Sequence, residues 1–207
     1  MPAMSSNPGP FWDRIARKYA ARPVPDAAAY AATLDRTRHY LKPDDRVLEV
    51  GAGTSSTAIT LAPLVAEYVS SDVSAEMVRI GQEKAEAAGI ANLSIRQGML
   101  GDPALGDGPY DAVLAFNLLH LCPDPGAEAA KAQALLRPGG YFISKSACLA
   151  DGKNFLRPLL AIVRLFGRAP YINFLTRAGL ESAIAGAGFE IVEAADLPSR
   201  FIVARRR

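Results

Sequence analysis

The sequence predicts an α/β domain built on an open, mostly parallel sheet with helices on both faces. Three observations carry this. A short apolar strand over residues 46–50 runs directly into a glycine turn, Gly51, Ala52 and Gly53, and then into a helical run. Strand and helix alternate from there to residue 146 with short connections, which is the signature of a doubly wound sheet. Two apolar runs, 189–193 and 200–204, close the chain with only about six residues between them. That is too few for a helical crossover, so they pair antiparallel.

The elements follow in order. Residues 1–10 are rich in Pro, Ser and Gly and read as loosely draped, with no basic region followed by an apolar core of the kind a secretory signal needs. Residues 11–21 read as an amphipathic helix, with Ile15 and Tyr19 on one face and Phe11 and Trp12 nearby. Pro23 and Pro25 break it, 27–41 is a second helix, and Pro43, Asp44 and Asp45 turn into the opening strand. Ser55, Ser56 and Thr57 open a helix over 58–62 that ends near Pro63, and 68–72 is the second strand. Ser74 suits an N-cap for a helix over 75–88 and Gly89 a C-cap. Residues 92–97 alternate as a third strand, and 98–109, with four glycines and two prolines, is loop. The run 110–116 is almost wholly apolar, as a central strand buried on both faces should be. A helix over 125–136 leads through a tight turn at 137–140 into strand 141–146. A long apolar connection, 149–176, precedes a helix over 177–187 closed by Gly188.

Composition narrows the function classes. The 207 residues are half hydrophobic and about a fifth charged, and the formal net charge is +2, too small to argue for a nucleic-acid partner. Arg205, Arg206 and Arg207 read as a frayed, solvated end. Two cysteines without a CxxC or Cys/His cluster argue against a structural metal or a disulfide framework. No apolar run approaches the roughly 20 residues that span a bilayer, so a cytoplasmic, soluble protein is expected.

The glycine turn alone is a weak signal. Dinucleotide dehydrogenases follow GxGxxG, and this chain reads Gly51-Ala-Gly53-Thr-Ser55-Ser56 without the third glycine at that spacing; a phosphate-cradling P-loop would need a lysine that is absent. Glu49, two residues before Gly51, can orient the turn or reach a cationic or amine group on a ligand. The plain alternative is a tight turn between any strand and helix. Asp72 lies about 20 residues further on, at the end of the second strand. A carboxylate there accepts hydrogen bonds from ribose hydroxyls; alternatively, it caps the next helix.

Taken together, Glu49 to Gly53, the strand ending at Asp72, the run from Tyr110 to Leu114, Leu136 to Gly140 and Gly188 to Val192 resemble the class I S-adenosylmethionine-dependent methyltransferases. The likeness covers about residues 11–205 and is closest in style to small-molecule members such as quinone-biosynthesis enzymes. It implies a Rossmann-like, seven-stranded sheet whose last strand is inserted antiparallel, an expectation the closing hairpin supports independently. It also implies S-adenosylmethionine as cofactor and S-adenosylhomocysteine as product. Glu49 would then bond near the methionine amino end, and Gly51, Ala52 and Gly53 would pass beneath the methionine part. Asp72 would hold the ribose, with Val73 and Met77 against the adenine. Gly98, Met99 and Leu100 match the loop after the third strand, where the family often has an acid; Met99 is a departure, and Asp102 is a substitute candidate. Phe116, Asn117 and Leu118 would line the reactive centre. Ser55 stands where the family most often has glycine, a small and tolerable change. The first helix matches the family's variable lid: Trp12, Ile15, Ala16 and Tyr19 would cover the cofactor, with Tyr19 reaching its carboxylate, although packing on the sheet edge would explain the same helix.

Methyl transfer from a sulfonium relies on proximity, orientation and exclusion of water, and needs a side-chain base only where the nucleophile must lose a proton. His120, at the rim past the fourth strand, is the candidate base; a hydrogen-bonded loop histidine is the alternative. His39 is structural. The [DN]PP[YF] signature of amino-methylating nucleic-acid enzymes is missing at 116–120. The apolar stretch 155–166 fits a cap over an apolar or amphipathic small acceptor, a homodimer surface through 155–175, or shallow membrane docking by Arg157, Arg164 and Arg168. The expected division is a helical lid over 1–45, a cofactor-binding core over 46–148, a substrate cap over 149–176 and a closing helix and hairpin over 177–207. The expected function is methyl transfer to a small molecule; the alternative is a module that senses S-adenosylmethionine without turnover.

Overall fold

The computed structural model describes residues 8–207; the loose stretch expected before residue 8 lies outside them. Seven strands form one sheet in the order β3-β2-β1-β4-β5-β7-β6. They are β1 (Arg46–Val50), β2 (Glu67–Asp72), β3 (Leu93–Gln97), β4 (Tyr110–Phe116), β5 (Leu136–Ser146), β6 (Phe189–Leu197) and β7 (Ser199–Arg206). The first five are parallel, and β7 runs antiparallel to both β5 and β6. The Rossmann-like sheet with its inserted last strand is therefore present as the sequence predicts.

The helices are α1 (Gly9–Ala20), α2 (Ala27–Arg38), α3 (Ser56–Leu61), α4 (Ala75–Ala87), α5 (Pro125–Leu135), α6 (Arg157–Leu165) and α7 (Arg177–Gly186). Strand alternation divides the core into two layers. Leu48, Val50, Val113 and Phe142 pack with Ala129, Ala132, Leu180 and Ile184 of α5 and α7. Val47, Leu114, Ile143 and Val203 pack on the other face with Leu34 of α2 and Ala58 and Leu61 of α3. β1 and β4 are apolar on both sides because helices cover both.

Two expectations are corrected at the chain end and the fifth strand. Arg205 and Arg206 are not frayed: they pair with Tyr141 and Phe189, and the Arg206 guanidinium donates to the Leu136 carbonyl. The turn expected at 137–140 is absorbed into β5, because Leu136 already pairs with Tyr110 across a register shift. The hairpin strands are also longer than the apolar runs suggested, leaving Pro198 alone between them. The second helix stops at Arg38, short of the expected 41.

The base of the sheet is tied by Asp111. Its Oδ2 accepts the Arg46 backbone N–H at 2.7 Å, and its Oδ1 accepts the Arg137 guanidinium. One side chain thus joins β1, β4 and the start of β5. We expect Asp111→Ala to lower stability by about 1–3 kcal/mol. The thermal midpoint should fall by several degrees in calorimetry, with secondary structure retained.

Candidate functional site

The site is built at the carboxyl edge of the sheet, where β1, β2 and β4 release their chains. β1 ends in a turn whose backbone is left-handed at Gly51 (φ 64°) and Gly53 (φ 56°). A Cβ on Gly51 would lie 2.7 Å from Leu118 Cδ1, so glycine is required there by both conformation and space. The Ala52 N–H donates to the Ser71 carbonyl at 2.9 Å, which fastens the turn to β2.

Ser55 is left-handed as well (φ 56°) and is fully buried. A non-glycine residue in this region is strained, and two neighbours support it. Its hydroxyl is 2.8 Å from the Ser70 hydroxyl on β2, and Gly81 of α4 leaves the room it needs, since a Cβ there would sit 2.9 Å from Ser55 Oγ.

Asp72 is the hub. Its Oδ2 accepts the Gly53 N–H at 2.8 Å and its Oδ1 the Ser74 N–H at 2.9 Å. Burial pushes this carboxyl above the usual carboxylate range, and the two N–H donors pull it partly back. Each oxygen keeps a lone pair for a further donor. The Asp72 carbonyl accepts the Gly98 N–H at 3.0 Å, placing Gly98 beside the ribose position expected for Asp72. Val73 is half-buried and Met77 buried at the start of α4. Ser74 caps that helix through the Met77 N–H at 3.1 Å.

α1 lies against this end of α4. Asp13 Oδ1 accepts the Ser74 hydroxyl at 2.6 Å and the Glu76 N–H at 3.1 Å, and Arg17 pairs with Glu76 at 3.0 Å. Tyr19, half-exposed, reaches over the turn: its Cε1 is 3.7 Å from where a Gly53 Cβ would be, and its hydroxyl feels the Asp72 charge. Ala16 is fully buried, while Trp12 packs edge-on against Phe11 at 5.2 Å.

Other expected residues divide. Glu49 is buried and accepts the Tyr68 hydroxyl at 2.8 Å; burial raises its carboxyl to about 8. Met99 is exposed and Leu100 is buried in the core. Asp102 caps the short 3₁₀ turn Pro103–Leu105 through the Ala104 N–H at 2.9 Å, although its Oδ2 faces Gly98. Phe116 is half-buried beside Lys145, and Asn117 is left-handed (φ 54°) with its N–H on the Lys145 carbonyl. Among non-glycine residues Asn tolerates this conformation best. Leu118 packs over Gly51. His39 packs edge-on against Tyr40 at the end of α2.

His120 follows in the 3₁₀ turn Leu119–Leu121. Its Nδ1 is buried without a hydrogen-bond partner among the described residues, and burial lowers its pKa to about 4. Ser144 and Ser146, on the β5 face that carries Phe142, are likewise buried with unpartnered hydroxyls. The sequence pattern did not single out these two serines. The His120 carbonyl accepts the Asn173 N–H at 2.7 Å. Asn173 in turn lines a cavity of about 220 Å³ between α6 and residues 170–174. Arg157 and Arg164 lie over the rings of Phe174 and Tyr171 there.

A family model described as a methyltransferase domain matches residues 18–194. The chain belongs to that methyltransferase family. Its members depend on S-adenosylmethionine, and the glycine turn, the Asp72 carboxylate and the covering Tyr19 fit that cofactor. The ubiquinone biosynthesis O-methyltransferase of Azorhizobium caulinodans is 27% identical over 157 residues, 73% of this chain and 61% of that protein. An uncharacterized methyltransferase, YcgJ of Bacillus subtilis, is 27% identical over 100 residues, 48% of this chain and 40% of that protein. The chain thus spans less than two thirds of the length of these curated relatives. Among solved structures, magnesium protoporphyrin IX methyltransferase of Synechocystis with bound S-adenosylhomocysteine superposes with a TM-score of 0.68, at 22% identity and 92% coverage of each chain.

Two measurements test the site. Asp72→Ala should weaken S-adenosylmethionine binding at least tenfold by calorimetry while leaving the fold intact, since it removes charge-assisted hydrogen bonds worth about 1.5–3 kcal/mol. Glu49→Gln tests the buried acid. A carboxyl raised from 4.5 to about 8 holds its proton in the folded state where the unfolded chain has lost it. Its stabilising contribution is full below pH 4.5 and is lost as pH rises toward 8. Denaturant titrations should show wild-type stability falling across that window, on the order of a few kcal/mol relative to Glu49→Gln, whose curve stays flatter.

Proposed function

We propose that this protein transfers a methyl group from S-adenosylmethionine to a small, amphipathic acceptor, and that the acceptor enters between α6 and the 3₁₀ turn carrying His120. The observation that supports this most directly is the set of buried polar atoms without partners among the described residues, toward and past the carboxyl ends of β4 and β5: His120 Nδ1, Ser144 Oγ and Ser146 Oγ. A buried polar group without a partner costs about 1–3 kcal/mol, and a polar group on an incoming ligand would offset that. The neighbouring cavity adds Leu160, Ala161, Ile172 and the rings of Tyr171 and Phe174. Such a lining suits a molecule with an apolar body and one or two polar groups.

S-adenosylmethionine, when bound, supplies a methyl already activated on a sulfonium with a neutral thioether as leaving group. The chain's own residues bind, orient and dry the site. Asp72 and the glycine turn hold the nucleoside and methionine parts, with Val73, Met77, Gly98 and Met99 around the base and Leu100 anchoring that loop in the core. Tyr19 and α1 shut out water from above. Phe116, Asn117 and Leu118 lie between the turn and the acceptor side.

His120 has a place in this reading. With its pKa near 4 it is neutral at physiological pH, so Nδ1 can accept a hydrogen bond from a hydroxyl, thiol or amine of the acceptor. It positions that nucleophile and takes its proton as the bond to carbon forms. The relatives that act in ubiquinone biosynthesis are named as O-methyltransferases, which favours a phenolic hydroxyl as the acceptor group here. The protein is taken to act in the cytoplasm, as the residue pattern led us to expect.

A turnover screen with labelled S-adenosylmethionine over phenols, thiols, amines and quinone precursors tests the reading. Methylated product from a phenolic amphiphile is the expected result; tight S-adenosylmethionine binding with no product from any class would favour a sensor instead. On the active acceptor, His120→Ala should lower kcat/KM by about tenfold to a thousandfold. A rate unchanged across pH would remove His120 from its role.

A further inference from the structure

The outer face of α6 is unaccounted for by the acceptor side. None of its residues is buried. At 3.6 residues per turn, Leu159 and Ile162 share one side of α6, opposite the Arg157, Leu160 and Arg164 that line the cavity; Phe155, in the 3₁₀ turn Asn154–Leu156 just before the helix, and Phe166, just after it, extend the apolar stripe at its two ends. The stripe is strongly exposed: Phe155 is 73% exposed, Phe166 73% and the adjacent Leu165 83%. Arg14 of α1 donates to the Gly167 carbonyl, which fixes the end of this helix against the lid.

Charge decides what covers it. Between Asp151 and Glu181 the chain has no acidic residue and five cations: Lys153, Arg157, Arg164, Arg168 and Arg177. Arg177 is paired with Asp151 and Asp196; the other four carry no ion pair among the described residues. In a two-fold contact with a second copy this segment would meet itself and oppose cation to cation. A helix of 9 residues is also small for a stable dimer, which needs about 800 Å² per partner. An anionic lipid surface satisfies both halves at once: the apolar stripe enters the acyl boundary and the flanking cations meet the headgroups.

We propose that α6 docks the protein on anionic membrane surfaces, lying in the interface with Phe155, Leu159, Ile162 and Phe166 inserted and Lys153 and Arg168 at the headgroups. No helix of the described chain is long and apolar enough to cross a membrane, so the association is peripheral and reversible. It rests on α6 alone and stands whether or not the acceptor reading holds.

Vesicle flotation of the full chain tests it, with phosphatidylcholine vesicles against the same vesicles containing phosphatidylglycerol. The expected result is at least tenfold stronger partitioning onto the anionic vesicles, reduced severalfold by 0.5 M salt, where the screening length is only about 4 Å. Leu159→Glu with Phe166→Glu should abolish it, and Lys153→Glu with Arg168→Glu should remove the preference for phosphatidylglycerol. Both variants change exposed side chains and should bind S-adenosylmethionine as the wild type does. No partitioning, or equal partitioning onto both vesicles, overturns the proposal. So does a concentration-dependent dimer in light scattering that Leu159→Glu dissolves, which would assign the stripe to a second copy.

Discussion

The site depends on one carboxylate used in two directions. Asp72 grips the glycine turn through Gly53 and the start of α4 through Ser74, so the end of β2 sets the spacing between the turn and the helix that follows. α1 is positioned on the same helix end, through Asp13 on Ser74 and Glu76. The glycine turn, the first turn of α4 and the covering helix therefore share one short chain of hydrogen bonds. Charge-assisted bonds of this kind, to a partly desolvated carboxylate, hold geometry better than neutral ones.

Burial raises both Glu49 and Asp72, and neither has a lysine or arginine in an ion pair among the described residues. Glu49, raised to about 8 and bonded to the Tyr68 hydroxyl, keeps its proton near neutral pH and adds no charge beneath the turn. The region proposed for the acceptor differs in character: it holds neutral His120 and hydroxyls, with guanidinium groups laid over aromatic rings nearby.

Much of this was legible in the sequence because it is written locally. The β1 strand, the glycine turn and Asp72 lie within about thirty residues, and the closing hairpin follows from the shortness of its connection. Less legible were the choices of partner made across the sheet. Arg205 and Arg206 look like a solvated tail until β5 and β6 flank them. Asp102 shows no local sign that one of its oxygens caps the turn that follows it, while the other is left facing Gly98. Ser144 and Ser146 look like ordinary strand residues, and only the packing above them leaves their hydroxyls unpaired. Asp13 carries no local signal of its role, since its partners lie about sixty residues away.

Ser55 and Gly81 show how such a fold can redistribute its small residues. The space that a third glycine would have left in the turn is supplied instead from α4, by Gly81. The hydroxyl that fills it bonds sideways to β2. The two positions therefore trade volume with each other, and neither can be altered as though it stood alone. In descendants or redesigns of this chain they should change as a pair. A glycine at 55 would free 81 to take a side chain, whereas a side chain at 81 with serine kept at 55 would push the turn out of the shape on which Asp72 holds it.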